Sequence, residues 1–158
     1  MAQNSTSKLK AFTRKLKAVK AGDIMTKHVI TTTEDAHLAD VAEIMLESRI
    51  SGMPVVNKKG KVIGIITEND LFVVMDMIKS GDVMENGKLA VSNPTVRFSM
   101  STEISQVKKT TSLDEILVIM KFRNKHTIPV FDKGRMVGVV GRRDVFKSFY
   151  NIVKELYL

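Results

Sequence analysis

Apolar residues along this chain recur with two different spacings, and the spacings predict a mixed fold of helices and short strands. Spacings of three and four residues, typical of amphipathic helices, begin at Leu38 and again at Leu113. After each predicted helix, two short apolar runs flank a turn containing Lys and Gly, which is typical of a β-hairpin. The predicted helix faces consist of Leu38, Val41, Ala42, Met45 and Leu46, and of Leu113, Ile116, Leu117 and Met120. A short strand is predicted before each helix, at about residues 29–32 and 104–108, and a second helix after each hairpin. The predicted order of elements is therefore β-α-β-β-α in both copies.

The two copies are repeats of one sequence unit. Pro54 and Pro129, which precede the hairpins, are 75 positions apart, and Gly64 and Gly138 within them are 74 apart. One copy of about 50 residues is too small to bury its sheet well alone, so we expect both to pack together with pseudo-two-fold symmetry. The predicted class is α/β (α+β). The predicted divisions are a basic N-terminal helix or tail (1–19), repeat 1 (20–79), a connector (80–97), and repeat 2 with a C-terminal helix (98–158).

Charge is concentrated in the N-terminal segment. The 158 residues carry 25 Lys and Arg against 17 Asp and Glu, a net charge of +8, and six of those cations with no acid lie in residues 1–20. Leu9, Phe12, Leu16 and Val19 have helical spacing, whereas residues 1–7 are small and polar and are expected to be disordered. Residues 8–20 are thus a candidate nucleic-acid surface.

Several classes of function lack the residues they need. The chain has no Cys, which excludes disulfides and thiol chemistry, and it has no apolar run long enough for a membrane span. No catalytic motif or metal-ligand spacing is recognisable. We therefore predict a cytoplasmic protein that is not an enzyme and has no metal and no cofactor.

The sharpest constellation stands where the second hairpin strand of repeat 1 meets the following helix. Thr67 supplies a hydroxyl and Asp70 a carboxylate one helical turn later. A carboxylate suits a vicinal diol such as that of ribose, and a helix N-terminus suits phosphate. The alternative is a helix cap, with Thr67 at the N-cap and Asp70 at the third helical position.

The combined motifs resemble a tandem pair of CBS domains. The resemblance rests on Asp23-Ile24-Met25-Thr26, on the segment Ile50 to Val56, and on Gly-x-x-Thr-x-x-Asp ending at Asp70, in duplicated order across residues 20–150. It implies a module that binds an adenosine-containing ligand in the cleft between repeats and regulates a partner in trans. The implied ligand class is AMP, ADP, ATP or S-adenosylmethionine, with energy sensing as the implied role. A homodimer formed through the last helices of each repeat is also implied.

The resemblance assigns ligand contacts residue by residue. The implied main site contains Ile65, Thr67, Asp70, Lys125, His126, Thr127 and Ile128. The implied second site contains Ser51, Gly52, Met53, Val139, Arg142 and Asp144. The second site departs from the pattern because Gly141 stands in the place of Thr67. The lost hydroxyl favours a weaker second site, although the basic Arg142 and Arg143 leave open a more highly phosphorylated ligand. We expect one dominant nucleotide per chain.

Overall fold

The structure is a computed structural model that describes residues 2–80, 84–85, 88–89 and 93–157. The helices are α1 (Ala2–Ala18), α2 (Ala21–Ile24), α3 (Leu38–Ser48), α4 (Glu68–Ser80), α5 (Leu113–Phe122) and α6 (Arg142–Tyr157). The strands are β1 (Thr32–Thr33), β2 (Gly52–Val56), β3 (Val62–Thr67), β4 (Met84–Glu85), β5 (Lys88–Leu89), β6 (Val107–Lys108), β7 (Thr127–Asp132) and β8 (Arg135–Gly141). A 3-10 helix spans Val96–Phe98. Among the described helices, none combines the length and apolar character needed to cross a bilayer.

The chain divides into two compact units. The terminal unit comprises Met1–Val29 and Ser105–Leu158, and the central unit comprises Ile30–Ile104. The predicted connector falls in the central unit. Its residues 81–83, 86–87 and 90–92 lie outside the described residues, and β4 pairs with β5 between them.

The central unit is a three-stranded sheet covered by helices. β1 runs parallel to β2, and β2 runs antiparallel to β3, with Met53 paired to Ile66 and Val55 paired to Gly64. Alternate strand residues and one face of α3 meet in a buried core, as the two periodicities require. The core residues are Leu38, Val41, Met45, Met53, Val55, Ile66, Val74 and Val96.

The terminal unit repeats this architecture. β6 is parallel to β7, and β7 is antiparallel to β8. Its core residues are Ala21, Val107, Leu113, Ile116, Met120, Ile128, Val130, Val140, Val145 and Ile152. The duplicated β-α-β-β-α order predicted from the sequence is confirmed.

Each unit takes its opening segment from the part of the chain that precedes the other repeat. The Thr26 and Val139 backbones exchange two hydrogen bonds of 2.9 and 3.0 Å in the terminal unit, and Ser101 and Ile65 exchange two of 2.9 Å in the central unit. Residues 20–29 therefore belong to the terminal unit, although the central unit follows them in the chain. Residues 98–104 belong to the central unit, although the second part of the terminal unit follows them.

These bridges explain the glycine in each hairpin. A Cβ on Gly138 would lie 2.9 Å from the Thr26 carbonyl oxygen, and a Cβ on Gly64 would lie 3.0 Å from that of Ser101. Both distances are shorter than a carbon–oxygen contact normally allows, so only glycine lets the opening segment approach its strand.

The basic N-terminal segment is a helix packed in the terminal unit. The apolar side chains Phe12, Leu16 and Val19 contact the core, and the rings of Phe12 and Phe149 meet edge to face at 5.7 Å. Lys15 forms an ion pair with Glu155. Leu9 departs from the expected apolar face because it is exposed. The helix begins at Ala2, so the expected disorder of residues 2–7 was wrong.

Some apolar residues face solvent within this chain. Leu46, which was predicted on the inner face of α3, is 77% exposed, because Leu38, Val41 and Met45 already fill the stripe against the sheet. The large exposed apolar and aromatic side chains of α4 and α6 are Phe72, Val73, Met75, Phe146, Phe149, Tyr150 and Tyr157.

Candidate functional site

The strand–helix junction of the central unit places Thr67 and Asp70 in direct contact. β3 ends at Thr67, and α4 begins at the next residue. The Thr67 hydroxyl donates to Asp70 Oδ2 at 2.6 Å, and the Thr67 backbone N–H donates to the same oxygen at 2.8 Å. The Asp70 N–H in turn points to Thr67 Oγ1 at 3.4 Å. The capping alternative from the sequence is therefore present in the geometry.

Capping leaves part of this pair available to a ligand. Both bonds from Thr67 go to Oδ2, so Oδ1 of Asp70 takes part in neither. Thr67 and Asp70 are each partly exposed. A carboxylate held by two donors on one oxygen is oriented for hydroxyl groups that approach the other, as a ribose diol would. Capping and ligand binding are thus compatible at one position.

Ser51 and Gly52 lie beside this junction in the same unit. Gly52 pairs with Thr67 across the β2–β3 ladder, and the Glu68 N–H donates to the Ser51 carbonyl oxygen at 3.0 Å. Met53 is fully buried in the core, and Ile65 is 8% exposed. The family resemblance assigned residues 51–53 to the second site. Within the unit their direct neighbours are Ile66, Thr67 and Glu68.

The terminal unit has the same junction without the hydroxyl. β8 ends at Gly141, α6 begins at Arg142, and the Gly141 N–H donates to Asp144 Oδ2 at 2.8 Å. Burial raises the pKa of the Asp144 carboxyl, and the Gly141 N–H and the charge of Lys147 oppose that rise. Asp144 therefore keeps the cap of its counterpart Asp70 but is a poorly solvated carboxylate with one donor fewer.

Residues 125–128 lie against that second junction. Thr127 pairs with Gly141, and Ile128 with Val140, in the β7–β8 ladder. Burial, with a smaller contribution from the positive charge of Arg142, lowers the pKa of His126 below 6.5. His126 and Lys125 are partly exposed, and Thr127 is buried.

Four of the predicted contacts are buried, namely Met53, Ile65, Thr127 and Ile128. Val139 is partly exposed, and its backbone bonds to Thr26. Arg142 is exposed at the start of α6. The structure thus brings 126–128 together with 140–142, and 51–52 together with 67–68.

One contact of the junctions escaped the sequence interpretation. Ser101 is bonded to Ile65, just before Thr67, and Thr26 is bonded to the equivalent Val139. The signal was present, because Thr26 and Ser101 are 75 positions apart, the same interval as Pro54 and Pro129. Within the described ranges, no group of three or more His, Asp or Glu side chains could hold a metal ion.

The duplicated fold and its two junctions define a known class. The family model for the CBS domain matches residues 21–76 and 96–151. This chain belongs to the CBS domain family.

Known proteins with similar sequences differ in length. "Uncharacterized protein MJ1426" of Methanocaldococcus jannaschii is 29% identical over 150 residues, which cover 80% of this chain and 88% of that protein. Inosine-5'-monophosphate dehydrogenase of the same organism is 27% identical over 129 residues, 81% of this chain but 23% of the enzyme. The chain therefore spans less than a quarter of that enzyme's length.

A solved structure with the same fold contains adenosyl ligands. The CBS domain pair of protein MJ0100, in complex with 5'-methylthioadenosine and S-adenosyl-L-methionine, superimposes with a TM-score of 0.70 at 25% identity. The match covers 84% of this chain and 97% of that one.

Proposed function

We propose that this chain is a regulatory module that binds an adenosine nucleotide or adenosyl compound and controls a partner protein in trans. The observation that carries the proposal is the Thr67–Asp70 pair, in which one carboxylate oxygen is fixed by two donors and the other takes no part in those bonds. The adenosyl ligands of the MJ0100 domain pair support this ligand class. Regulation requires that the ligand bind two conformations of the module with different affinity.

The experiment is calorimetry with AMP, ADP, ATP, S-adenosylmethionine and 5'-methylthioadenosine. The informative variant is Asp70→Asn, because its amide oxygen still accepts the Thr67 N–H and preserves the cap. Replacing a charged acceptor should weaken the best ligand by about tenfold or more. Asp144→Asn is the matched control at the other junction and should change the main affinity little. Equal affinities for wild type and Asp70→Asn, or no binding by any of these compounds, would contradict the proposal.

Lys125, His126, Thr127 and Ile128 are proposed as ligand contacts in the roles that the family resemblance implies. The partly exposed Lys125 and His126 are proposed to lie near a ligand phosphate. His126→Gln removes the ring that protonates but keeps a donor. It should therefore weaken AMP more than 5'-methylthioadenosine, which has no phosphate. An equal loss for both ligands would remove His126 from the phosphate contact.

Self-association is proposed through α4 and α6. Phe72 in α4 is 66% exposed and Phe146 in α6 is 71% exposed, and both belong to larger groups of exposed apolar side chains. Large exposed apolar patches are typical of interaction surfaces. We expect a homodimer by light scattering and a monomer for Phe146→Glu. A wild-type chain that stays monomeric at micromolar concentration would contradict this.

A second function is favoured by the outer face of α1. Lys10, Arg14 and Lys17 are exposed and recur every three to four residues, while the apolar face of the same helix is occupied by the core. Binding to a membrane surface would need that apolar face, which already packs against the core. Binding to nucleic-acid phosphates needs only the exposed cations. Charge reversal at these three positions should abolish salt-dependent DNA or RNA binding and leave nucleotide binding intact. Absence of any salt-dependent binding by wild type would exclude this second function.

A further inference from the structure

The two units share a corner that has the same backbone but different side chains. In the central unit the Arg97 N–H donates to the Glu34 carbonyl oxygen at 2.9 Å, and in the terminal unit the Gly22 N–H donates to that of Lys109 at 2.9 Å. Gly22 and Lys109 stand 75 positions from Arg97 and Glu34, respectively. The corner is therefore a true structural equivalent in both units.

In the central unit, the charged side chains of the corner form ion pairs with one another. Arg97 Nη2 lies 2.8 Å from Asp35 Oδ1 and 3.3 Å from Glu34 Oε1. In the terminal unit, glycine replaces the arginine, and Lys109 and Thr110 replace the two acids. The internal ion pair is thus absent from the described corner of the terminal unit, and a cation occupies the place of an anion.

The same corner of the terminal unit contains a pocket. Its volume is about 420 Å³, within the roughly 300–1,000 Å³ range of small-molecule sites. The lining includes Lys108, Lys109, Thr110, Phe131, Asp132 and Lys133. The lining contains three lysines and one carboxylate, and among the described residues none of the three lysines forms an ion pair with an acid.

The backbone near Gly22 contributes to the arrangement. A Cβ on Gly22 would lie 2.6 Å from Lys109 Cγ, so the lysine side chain runs across the glycine. An arginine like that of the central unit would collide with this lysine. The two replacements therefore fit one another sterically, and together they leave an excess of positive charge.

We propose that this pocket binds a phosphorylated small molecule through Lys108, Lys109 and Lys133. The bound anion neutralises these lysines, as Glu34 and Asp35 neutralise Arg97 in the central unit. Lysine ammonium groups bind phosphate oxygens as point charges, and Phe131 supplies an apolar wall for the rest of the ligand. The proposal is independent of the proposed adenosyl site, because it uses other residues and other observations.

The test is a titration of the ¹⁵N-labelled full chain with pyrophosphate at constant ionic strength, followed by amide chemical shifts. We expect saturable shifts at residues 106–110 and 131–134. The double variant Lys109→Glu with Thr110→Asp, which copies the acids of the central unit, should abolish them. Lys133→Ala should weaken binding several-fold, whereas Lys59→Ala, in the equivalent hairpin of the central unit, should not.

Other outcomes separate this pocket from alternatives. Asp70→Asn should leave the pyrophosphate shifts unchanged even if it destroys adenosyl binding. Sulfate that binds as tightly as pyrophosphate would show a general counter-ion surface and overturn the proposal. So would the absence of saturation at millimolar pyrophosphate, or shifts that survive in the folded double variant. Lys109→Gln gives a milder replacement if the double variant does not fold.

Discussion

Gly141→Thr should rebuild in the terminal unit the junction that the central unit already has. A Cβ at Gly141 would lie 3.5 Å from Asp144 Oδ2 and 4.0 Å from the His126 carbonyl oxygen, which are ordinary contact distances. The position therefore has room for a β-branched side chain. In the central unit the equivalent hydroxyl donates to the carboxylate at 2.6 Å, and the same bond can form to Asp144.

The expected gain in stability comes from two sources. The added hydrogen bond to a carboxylate contributes about 1 kcal/mol, as cap residues usually do. Replacing glycine restricts the unfolded chain and adds roughly 0.5–1 kcal/mol. Gly141→Val has the same shape without the hydroxyl, so the difference between the two variants isolates the hydrogen bond. Urea denaturation should place Gly141→Thr about 1 kcal/mol above Gly141→Val.

The threonine hydroxyl should also change the pKa of Asp144 and the number of ligands bound per chain. A donor that favours the charged form lowers a carboxyl pKa. Because burial raises the pKa of Asp144 in the wild type, the threonine should bring it down, measurable by ¹³C NMR titration of the carboxyl. Calorimetry should then find a second adenosyl ligand per chain. If threonine and valine give the same stability, the same Asp144 pKa and the same ligand number, the reasoning about Thr67 is refuted.

Two further predictions concern the hairpin and the histidine. Gly138→Ala should destabilise the fold by about 1–3 kcal/mol in chemical denaturation, because its Cβ meets the Thr26 carbonyl oxygen at 2.9 Å; Gly141→Ala is the control without a clash, and equal stabilities would contradict the close approach. Because burial lowers the pKa of His126, the unfolded chain binds its proton more readily, so this residue's contribution to stability is fully present above pH 6.5 and is lost as the pH falls through the lowered value. His126→Gln should flatten the stability profile below pH 6.5, and an unchanged slope would show that His126 does not carry it.

Periodicity was sufficient to predict the repeated elements. The helices α3 and α5 begin at Leu38 and Leu113 as expected, and each hairpin lies where apolar runs flank a Lys/Gly turn. Such features depend on neighbours along the chain, and the sequence records them directly. The exposure of Leu46 could not be predicted in this way, because the buried face of a helix extends only as far as the sheet it covers.

The exchanged opening segments depended on contacts distant in sequence. Thr26 lies just before β1 in the chain but bonds to Val139 in β8, and no local pattern records a partner more than 100 positions away. The interval of 75 between Met25 and Met100 was the available clue. It shows that the opening segment belongs to the repeating unit, but not which sheet each copy joins.

At the strand–helix junctions, the sequence was a better guide to the hydrogen-bonding groups than to the residues that lie beside them. Thr67 and Asp70 are hydrogen-bonded as their spacing suggested, whether as cap or as ligand group. The assignment of residues 51–53 and 125–128 to particular sites came from family resemblance. Within each unit the β-ladders determine their nearest neighbours instead, since Gly52 pairs with Thr67 and Thr127 with Gly141.

Comparing equivalent positions in the two units shows which side chains the fold needs and which can vary. The bonds from Arg97 to Glu34 and from Gly22 to Lys109 have the same length, although all four side chains differ. Those side chains are therefore not needed to form the corner. Thr67 and Gly141 stand at equivalent positions, the last residues of β3 and β8. Although their side chains differ, the backbone N–H of each donates to the carboxylate that caps the following helix. Where the backbone is shared and the chemistry diverges, stability alone does not explain the difference. Substitutions at these positions are therefore the most informative for ligand-binding experiments on this chain.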